Sequence, residues 1–239
     1  MQVINLISGP RNLSTAIMYS FAQRKNTHVI DEPFYGYYLQ NAGLENTHPS
    51  QKEILQTMEL NAEKVVEKIN SISGNSTIFI KGMAHHYLTS SPDYILNWDN
   101  VILIRHPKKL IASYSKVIHT PTLNDIGIKT ASALFLFLKK NGKTPIVIDS
   151  DELLKNPEAY LKKLCNLLKT PFSEKMLHWK KGSIPEDGIW AKHWYKNVHN
   201  SEGFRVQKSS SQALPKRFEP LLKEALPYYE TLKNNILTL

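Results

Sequence analysis

Residues 8–15 read Ser-Gly-Pro-Arg-Asn-Leu-Ser-Thr and join a short apolar run (Val3, Ile4, Leu6, Ile7) to a helix-like stretch over 14–24. A tight turn at Gly9 and Pro10 exposes backbone N–H groups beside a helix N-terminus that carries partial positive charge, and Arg11, Ser14 and Thr15 add donors to the same place. Such a loop binds an anion, and phosphate is the natural one. The segment lacks the Gly-Lys-Ser/Thr ending of an NTPase P-loop, so it has neither the lysine that bridges outer phosphates nor the hydroxyl that holds magnesium. The plainer use of the same residues is a strand-to-helix turn in which Ser14 or Thr15 serves only as N-cap. A second segment favours the anion. The apolar run 101–104 is ended by Arg105-His106-Pro107 and followed by Leu110, Ile111 and Tyr114 at helical spacing. Arg105 and Ser113 stand eight residues apart across that junction. An arginine leaving a strand end and a serine two turns into the helix can converge on one phosphate, the first through a charge-assisted fork and the second through its hydroxyl.

With both segments in this order, the chain resembles the sulfotransferases that use 3′-phosphoadenosine 5′-phosphosulfate (PAPS). Gly9, Pro10, Arg11, Asn12, Leu13, Ser14 and Thr15 are similar to the 5′-phosphosulfate loop of the bacterial and carbohydrate-type members, which reads Pro-Arg-Ser-Gly-Ser-Thr. The stretch from Arg105 to Ser113 is similar to the family's 3′-phosphate region. The C-terminal residues Glu186-Asp187-Gly188-Ile189-Trp190-Ala191 and Trp194-Tyr195-Lys196-Asn197-Val198-His199 resemble a less-characterised group of sulfotransferase-like proteins, some of them fused to an aminotransferase-like domain. Two departures stand out. Asn12 and Leu13 replace a small Ser-Gly pair, so a bulkier loop must still let its backbone approach the sulfonate. The Arg-Lys-Gly segment of cytosolic members has only Lys180-Lys181-Gly182 as a counterpart.

Sulfuryl transfer needs an anion cradle, donors that follow charge onto the leaving phosphate, and a base for the acceptor's proton. Arg11 and the backbone of 12–15 supply the first two. Lys81, after the apolar run 77–80, resembles the lysine of the Lys-Thr-His segment of cytosolic members; its alternative is a strand-end lysine pointing to water. For the base, Glu32 in Asp31-Glu32-Pro33-Phe34 looks like the Glu-Pro segment whose glutamate is the proposed base of carbohydrate-type members. His85 and His86 lie near the place of the cytosolic members' histidine, displaced by two or three positions. A histidine has the better unperturbed pKa, and Glu32 has the better positional match, with burial beside Pro33 and Phe34 able to raise its pKa. The choice falls on Glu32. His193 and His199 have no Cys or carboxylate at metal-ligand spacing, and no metal is expected.

The elements that must hold these residues are apolar runs at 2–7, 77–80, 101–104 and 145–149, with a weaker one at 28–30, separated by helices near 14–24, 51–70, 107–118, 126–140, 157–169 and 215–236. The alternation predicts an α/β fold with a central parallel sheet and helices on both faces, and the resemblance implies a P-loop-like three-layer domain. Loops 8–15 and 105 would then both lie at carboxyl ends of strands, where such sheets bind ligands. Residues 36–50, with Gly36, Gly43 and Pro49, read as a loop or lid. Residues 171–215 read as irregular and aromatic-rich; core anchoring is the expected role of each of Trp179, Trp190 and Trp194, with one of them or Tyr195 the alternative for stacking on adenine. Ser209-Ser210-Ser211 reads as a polar turn.

Composition bounds the rest. At 239 residues and 41% hydrophobic content the chain reads as one domain over 1–239. An excess of 30 Lys and Arg over 21 Asp and Glu, formally +9, favours an anionic partner, yet no nucleic-acid reader motif is found. The single cysteine, Cys165, falls in an apolar helical run and excludes an intramolecular disulfide. No charged leader with an apolar core and cleavage site is seen, and no run reaches the roughly 18 to 20 apolar residues that span a bilayer, so a cytoplasmic protein without a membrane partner is expected. The leading expectation is sulfuryl transfer from PAPS to a hydroxyl or amine of a small acceptor. Its rivals are phosphoryl transfer from ATP and a non-catalytic nucleotide- or sulfate-binding module.

Overall fold

A computed structural model of the chain describes residues 1–43, 48–72, 76–88, 92–116, 118–205 and 214–239. Strands β1 (Gln2–Ser8), β2 (Thr27–Asp31), β3 (Thr77–Met83), β4 (Asp99–Ile104) and β5 (Ile146–Asp149) form a wholly parallel sheet in the order β2-β3-β1-β4-β5. The strands read as nearly continuous apolar runs because both faces are covered. On one face Val3, Ile7, Ile78, Ile80, Ile102, Ile104 and Val147 pack with α5 (Pro107–Tyr114), α6 (Ile128–Lys140) and α8 (Glu219–Lys233); on the other, Ile4, Leu6, Val29, Phe79, Val101, Leu103 and Ile148 pack with α1 (Ser14–Ala22) and α7 (Pro157–Leu167). Side chains alternate between these two cores with the period-two rule of a strand.

The chain leaves β1 toward the β2 edge, returns through β3 beside β1, then crosses to β4 and β5 on the other side. The carboxyl end of β1 is therefore the switch point of the sheet, where a crevice opens between diverging connections. Asn156 caps the start of α7 by accepting the Ala159 N–H, with Pro157 at its first position, as its sequence implies. Cys165 is buried as a packing residue.

Three expectations change. The single helix over 51–70 is two, α3 (Gln51–Thr57) and α4 (Ala62–Asn70), because Met58 takes an extended backbone and the Asn61 side chain accepts the Lys64 N–H as a new N-cap. The expected loop at 36–50 begins as helix α2 (Tyr35–Asn41), which buries Tyr35, Tyr38 and Leu39. Gly36 is there for closeness rather than flexibility, since a Cβ on it would lie 2.8 Å from the Met58 Cβ. Strand β3 runs three residues past the expected 80, so Lys81 sits inside the strand, not at its end. Residues 44–47 of the expected loop, Val117, and Ser209, Ser210 and Ser211 lie outside the described residues.

Candidate active site

The loop after β1 takes its shape from an unusual backbone. Arg11 and Leu13 both have positive φ, 57° and 61°, and Leu13 rather than Ser14 or Thr15 is the N-cap of α1, with no side chain capping the helix. The plainer N-cap role for Ser14 and Thr15 is thus not what they do. Left-handed turns next to an uncapped nine-residue helix gather N–H groups around one concavity. Gly9 is required for a different reason: a Cβ there would meet the Ile126 carbonyl oxygen at 2.5 Å. The bulk of Asn12 is turned toward the sheet. Its Nδ2 donates to the Leu103 carbonyl at 2.6 Å, and its Oδ1 accepts from Ser150 Oγ at 2.5 Å. Ser150 Oγ also lies 3.0 Å from the Ile104 carbonyl oxygen, so the loop is stitched to the ends of β4 and β5.

The two predicted phosphate segments meet. Arg11 Nε donates to Ser113 Oγ at 3.2 Å, and Arg105 Nη1 donates to the Arg11 carbonyl at 3.0 Å. Burial and the neighbouring Arg105 charge both lower the Arg11 pKa. Among the described residues no carboxylate pairs with Arg11, whereas Arg105 Nε lies 4.0 Å from Asp151 Oδ1. Two guanidinium groups brought together in a partly buried corner favour an anion between them. Pro10, Arg11, Asn12, Leu13, Ser14, Thr15, Arg105 and Ser113 all line one cavity of about 520 Å³. Lys180 and Lys181 are exposed and do not line it.

Glu32, His85 and His86 line the same cavity. Glu32 follows β2 directly and holds φ at 45°, a strained value for a non-glycine residue. Its own N–H donates to the Lys81 carbonyl at 2.7 Å, which fixes the turn. Lys81 is completely buried and points neither to water nor into the cavity. It pairs with Glu32 Oε1, lies 3.2 Å from Asp31 Oδ1 and donates to Tyr195 Oη at 2.6 Å. Burial raises the Glu32 carboxyl to about 7, Lys81 opposing and Asp31 adding to the rise. Burial acts against the Lys81 ammonium, but Asp31 and Glu32 outweigh it and its pKa is raised. The histidines are poorer bases here: burial, then the neighbouring His48, lowers His85 to about 4, and burial with His85 lowers His86. His86 is stacked on Tyr35 and Tyr38 at 4.6 and 4.9 Å.

The C-terminal segment closes the cavity. Trp179 and Trp190 are core anchors as expected, and Trp190, Trp194, Tyr195 and Phe204 reach the cavity wall. Three contributions were not legible in the sequence: the Tyr195 hydroxyl beneath Glu32, Asp31 as a partner of Lys81, and Asp125 and His48 on the cavity wall. The adjacent acids Asp31-Glu32 beside a strand lysine were the available signal for the second. Among the described residues no group of three or more His, Cys, Asp or Glu is placed to hold a metal ion, and no helix is long and apolar enough to cross a membrane.

A family model described as a sulfotransferase domain matches residues 1–236. The chain is 40% identical over 237 residues to branched-chain-amino-acid aminotransferase-like protein 1 of Arabidopsis thaliana, and 38% over 235 residues to protein 2 of the same name and plant. Each alignment covers 98% of this chain and 42% of the relative, so the chain spans about two fifths of the length of these relatives. In fold it is similar to the sulfotransferase domain of the Synechococcus PCC 7002 olefin synthase, with a TM-score of 0.59 at 16% identity over 96% of this chain and 94% of that one. The sulfotransferase domain from the curacin biosynthetic pathway aligns with a TM-score of 0.55 at 13% identity over 99% of both chains.

Proposed function

The chain belongs to the sulfotransferase-domain family, and from that membership we propose that it transfers a sulfuryl group from PAPS to a hydroxyl or amine of a small acceptor, in the cytoplasm. The observation that carries the proposal is the meeting of Arg11, Arg105 and Ser113 on the cavity that Glu32 also lines. The donor set suits a nucleotide with two separate anionic groups. Arg11, the N–H groups at the start of α1, Ser14 and Thr15 would hold the 5′-phosphosulfate, and Arg105 with Ser113 the 3′-phosphate. PAPS supplies the sulfuryl group to be moved. Glu32 takes the proton of the acceptor's hydroxyl, and Arg11 and the loop N–H groups neutralise the charge that grows on the departing phosphate. The rings of Tyr35, Trp190 and Trp194 give the acceptor an aromatic wall.

Binding tests the assignment. 3′-Phosphoadenosine 5′-phosphate should bind much more tightly than AMP or ATP by calorimetry, and Arg105→Ala should erase most of the difference. Loss of a charge-assisted anchor costs roughly 1.5 to 3 kcal/mol, about ten- to a hundredfold in affinity. Equal binding of AMP and the 3′-phosphorylated nucleotide would overturn the donor assignment. A second expectation concerns metals. A sulfuryl group carries less negative charge than a phosphoryl group, so Arg11 and the loop amides suffice to stabilise its transfer. Turnover should survive excess EDTA; collapse on chelation with recovery on adding Mg²⁺ would favour phosphoryl transfer.

A further inference from the structure

Four polar groups from three parts of the chain meet in a buried cluster at the cavity wall: Asp31 and Glu32 at the end of β2, Lys81 in β3, and Tyr195 from the C-terminal segment. The Tyr195 oxygen is fully committed. It accepts from Lys81 Nζ at 2.6 Å and from Trp190 Nε1 at 3.0 Å, and it donates its one proton to Asp31, 2.8 and 2.9 Å from the two carboxylate oxygens. It also stands 3.4 Å from Glu32 Oε1. The two carboxylates are served unequally. Asp31 receives Lys81, the Tyr195 hydroxyl and the Gly188 N–H at 3.0 Å, the last two from the C-terminal segment. Glu32 has Lys81 on Oε1, while its Oε2 has only the His86 ring nitrogen at 3.9 Å among the described residues.

Two carboxylates around one ammonium leave a single negative charge unmatched, and the carboxylate with fewer donors is where a proton is best taken up. We infer that Tyr195 is a positioning residue for Glu32: by donating to Asp31 while accepting from Lys81, its hydroxyl holds the cation between the two acids and leaves Glu32 Oε2 as the proton-accepting edge of the site. The inference rests on the reading of Glu32 as the base. It gives the Trp-Tyr stretch of the C-terminal segment a task in the chemistry: the base is complete only when residues 188–195 are docked against β2 and β3. The titratable groups facing Glu32 are Asp31, Lys81 and Tyr195 on the buried side, with Tyr35 from α2 and His86 beside the cavity and His85 behind His86.

Tyr195→Phe tests this in the protein without nucleotide. Infrared titration of the protonated carboxyl band, assigned to Glu32 by its loss in Glu32→Gln, should give a midpoint about one pH unit higher in Tyr195→Phe, a tenfold change in the protonation constant. Without the hydroxyl, Asp31 draws Lys81 toward itself and Glu32 loses part of the charge that favours its ionised form. Single-turnover transfer should then fall about fivefold near pH 7 and recover above the new midpoint, a pH dependence that a merely structural loss would not produce. Trp190→Phe, which keeps the phenol but removes one donor to it, should move the midpoint in the same direction by less, and serves should Tyr195→Phe not fold. A midpoint unmoved in both variants overturns the inference. A moved midpoint together with normal turnover of Glu32→Gln would instead uphold Tyr195 as the organiser of this carboxyl and remove Glu32 from the role of base.

Discussion

Glu32→Gln should lower the rate of the proposed sulfuryl transfer in a single turnover by roughly 10²- to 10⁴-fold, the usual worth of a positioned general base, and leave nucleotide affinity nearly unchanged. The amide keeps the shape of the carboxyl and its contact with Lys81 but cannot take a proton. Before substitution, the rate should rise with pH as Glu32 ionises around 7, since only the carboxylate is a base, and the variant should lack that limb. His85→Asn and His86→Asn each cost much less, because burial makes both rings weak proton acceptors. The check is transfer measured over a pH series with nucleotide affinity determined on the same samples. Normal turnover in Glu32→Gln with a dead histidine variant would transfer the role to the imidazole.

Lys81→Met should cost the fold much of its stability. The substitution keeps the length of the side chain and removes the cation that, among the described residues, pairs with both buried carboxylates, and breaking a buried pair in this way costs roughly 3 to 5 kcal/mol. At about 2 to 4 °C per kcal/mol for a chain of this size, the melting temperature at pH 8 drops by about 6 to 20 °C. The sign with pH follows from linkage. Without Lys81 the Glu32 carboxyl is raised further above its unfolded value of 4.5, so the folded state binds the proton more tightly and the deficit shrinks as pH falls toward 4.5. Thermal melts of both proteins at pH 8 and pH 5 measure this. Equal stability at pH 8 would show that the cluster does not depend on the ammonium.

The parts of the site that lie along one segment were legible in the sequence, and those made by packing were not. The Arg11 loop and the Arg105–Ser113 pair each sit at a strand end followed by a helix, and once the strands are parallel and adjacent the sheet itself brings them together. The sheet was readable because its strands are buried on both faces and carry almost unbroken apolar runs. Asn12 looked like an obstruction to ligand, because nothing local reveals that Leu103 and Ser150 receive its side chain. Lys81 looked like a strand end for a similar reason: Gly82 and Met83 continue β3 only because β1 pairs with them. The tyrosines of α2 were hidden by Gly36, which reads as a breaker in sequence and serves as a contact with Met58 in space. Tyr195 was one aromatic among several, and only tertiary structure distinguishes a ring that packs from a hydroxyl that organises two acids.

The proposed reaction is transfer of a sulfuryl group from PAPS in this cavity. Its most direct test is incubation of the protein with PAPS labelled in the sulfur and a panel of small hydroxyl and amine compounds, following label and nucleotide together. The expected result is label in one acceptor class, released 3′-phosphoadenosine 5′-phosphate in equal amount, and loss of both in Glu32→Gln and Arg11→Ala. Label that stays on PAPS throughout the panel, while ATP labelled in its terminal phosphate gives up that phosphate to the same compounds, would contradict the account.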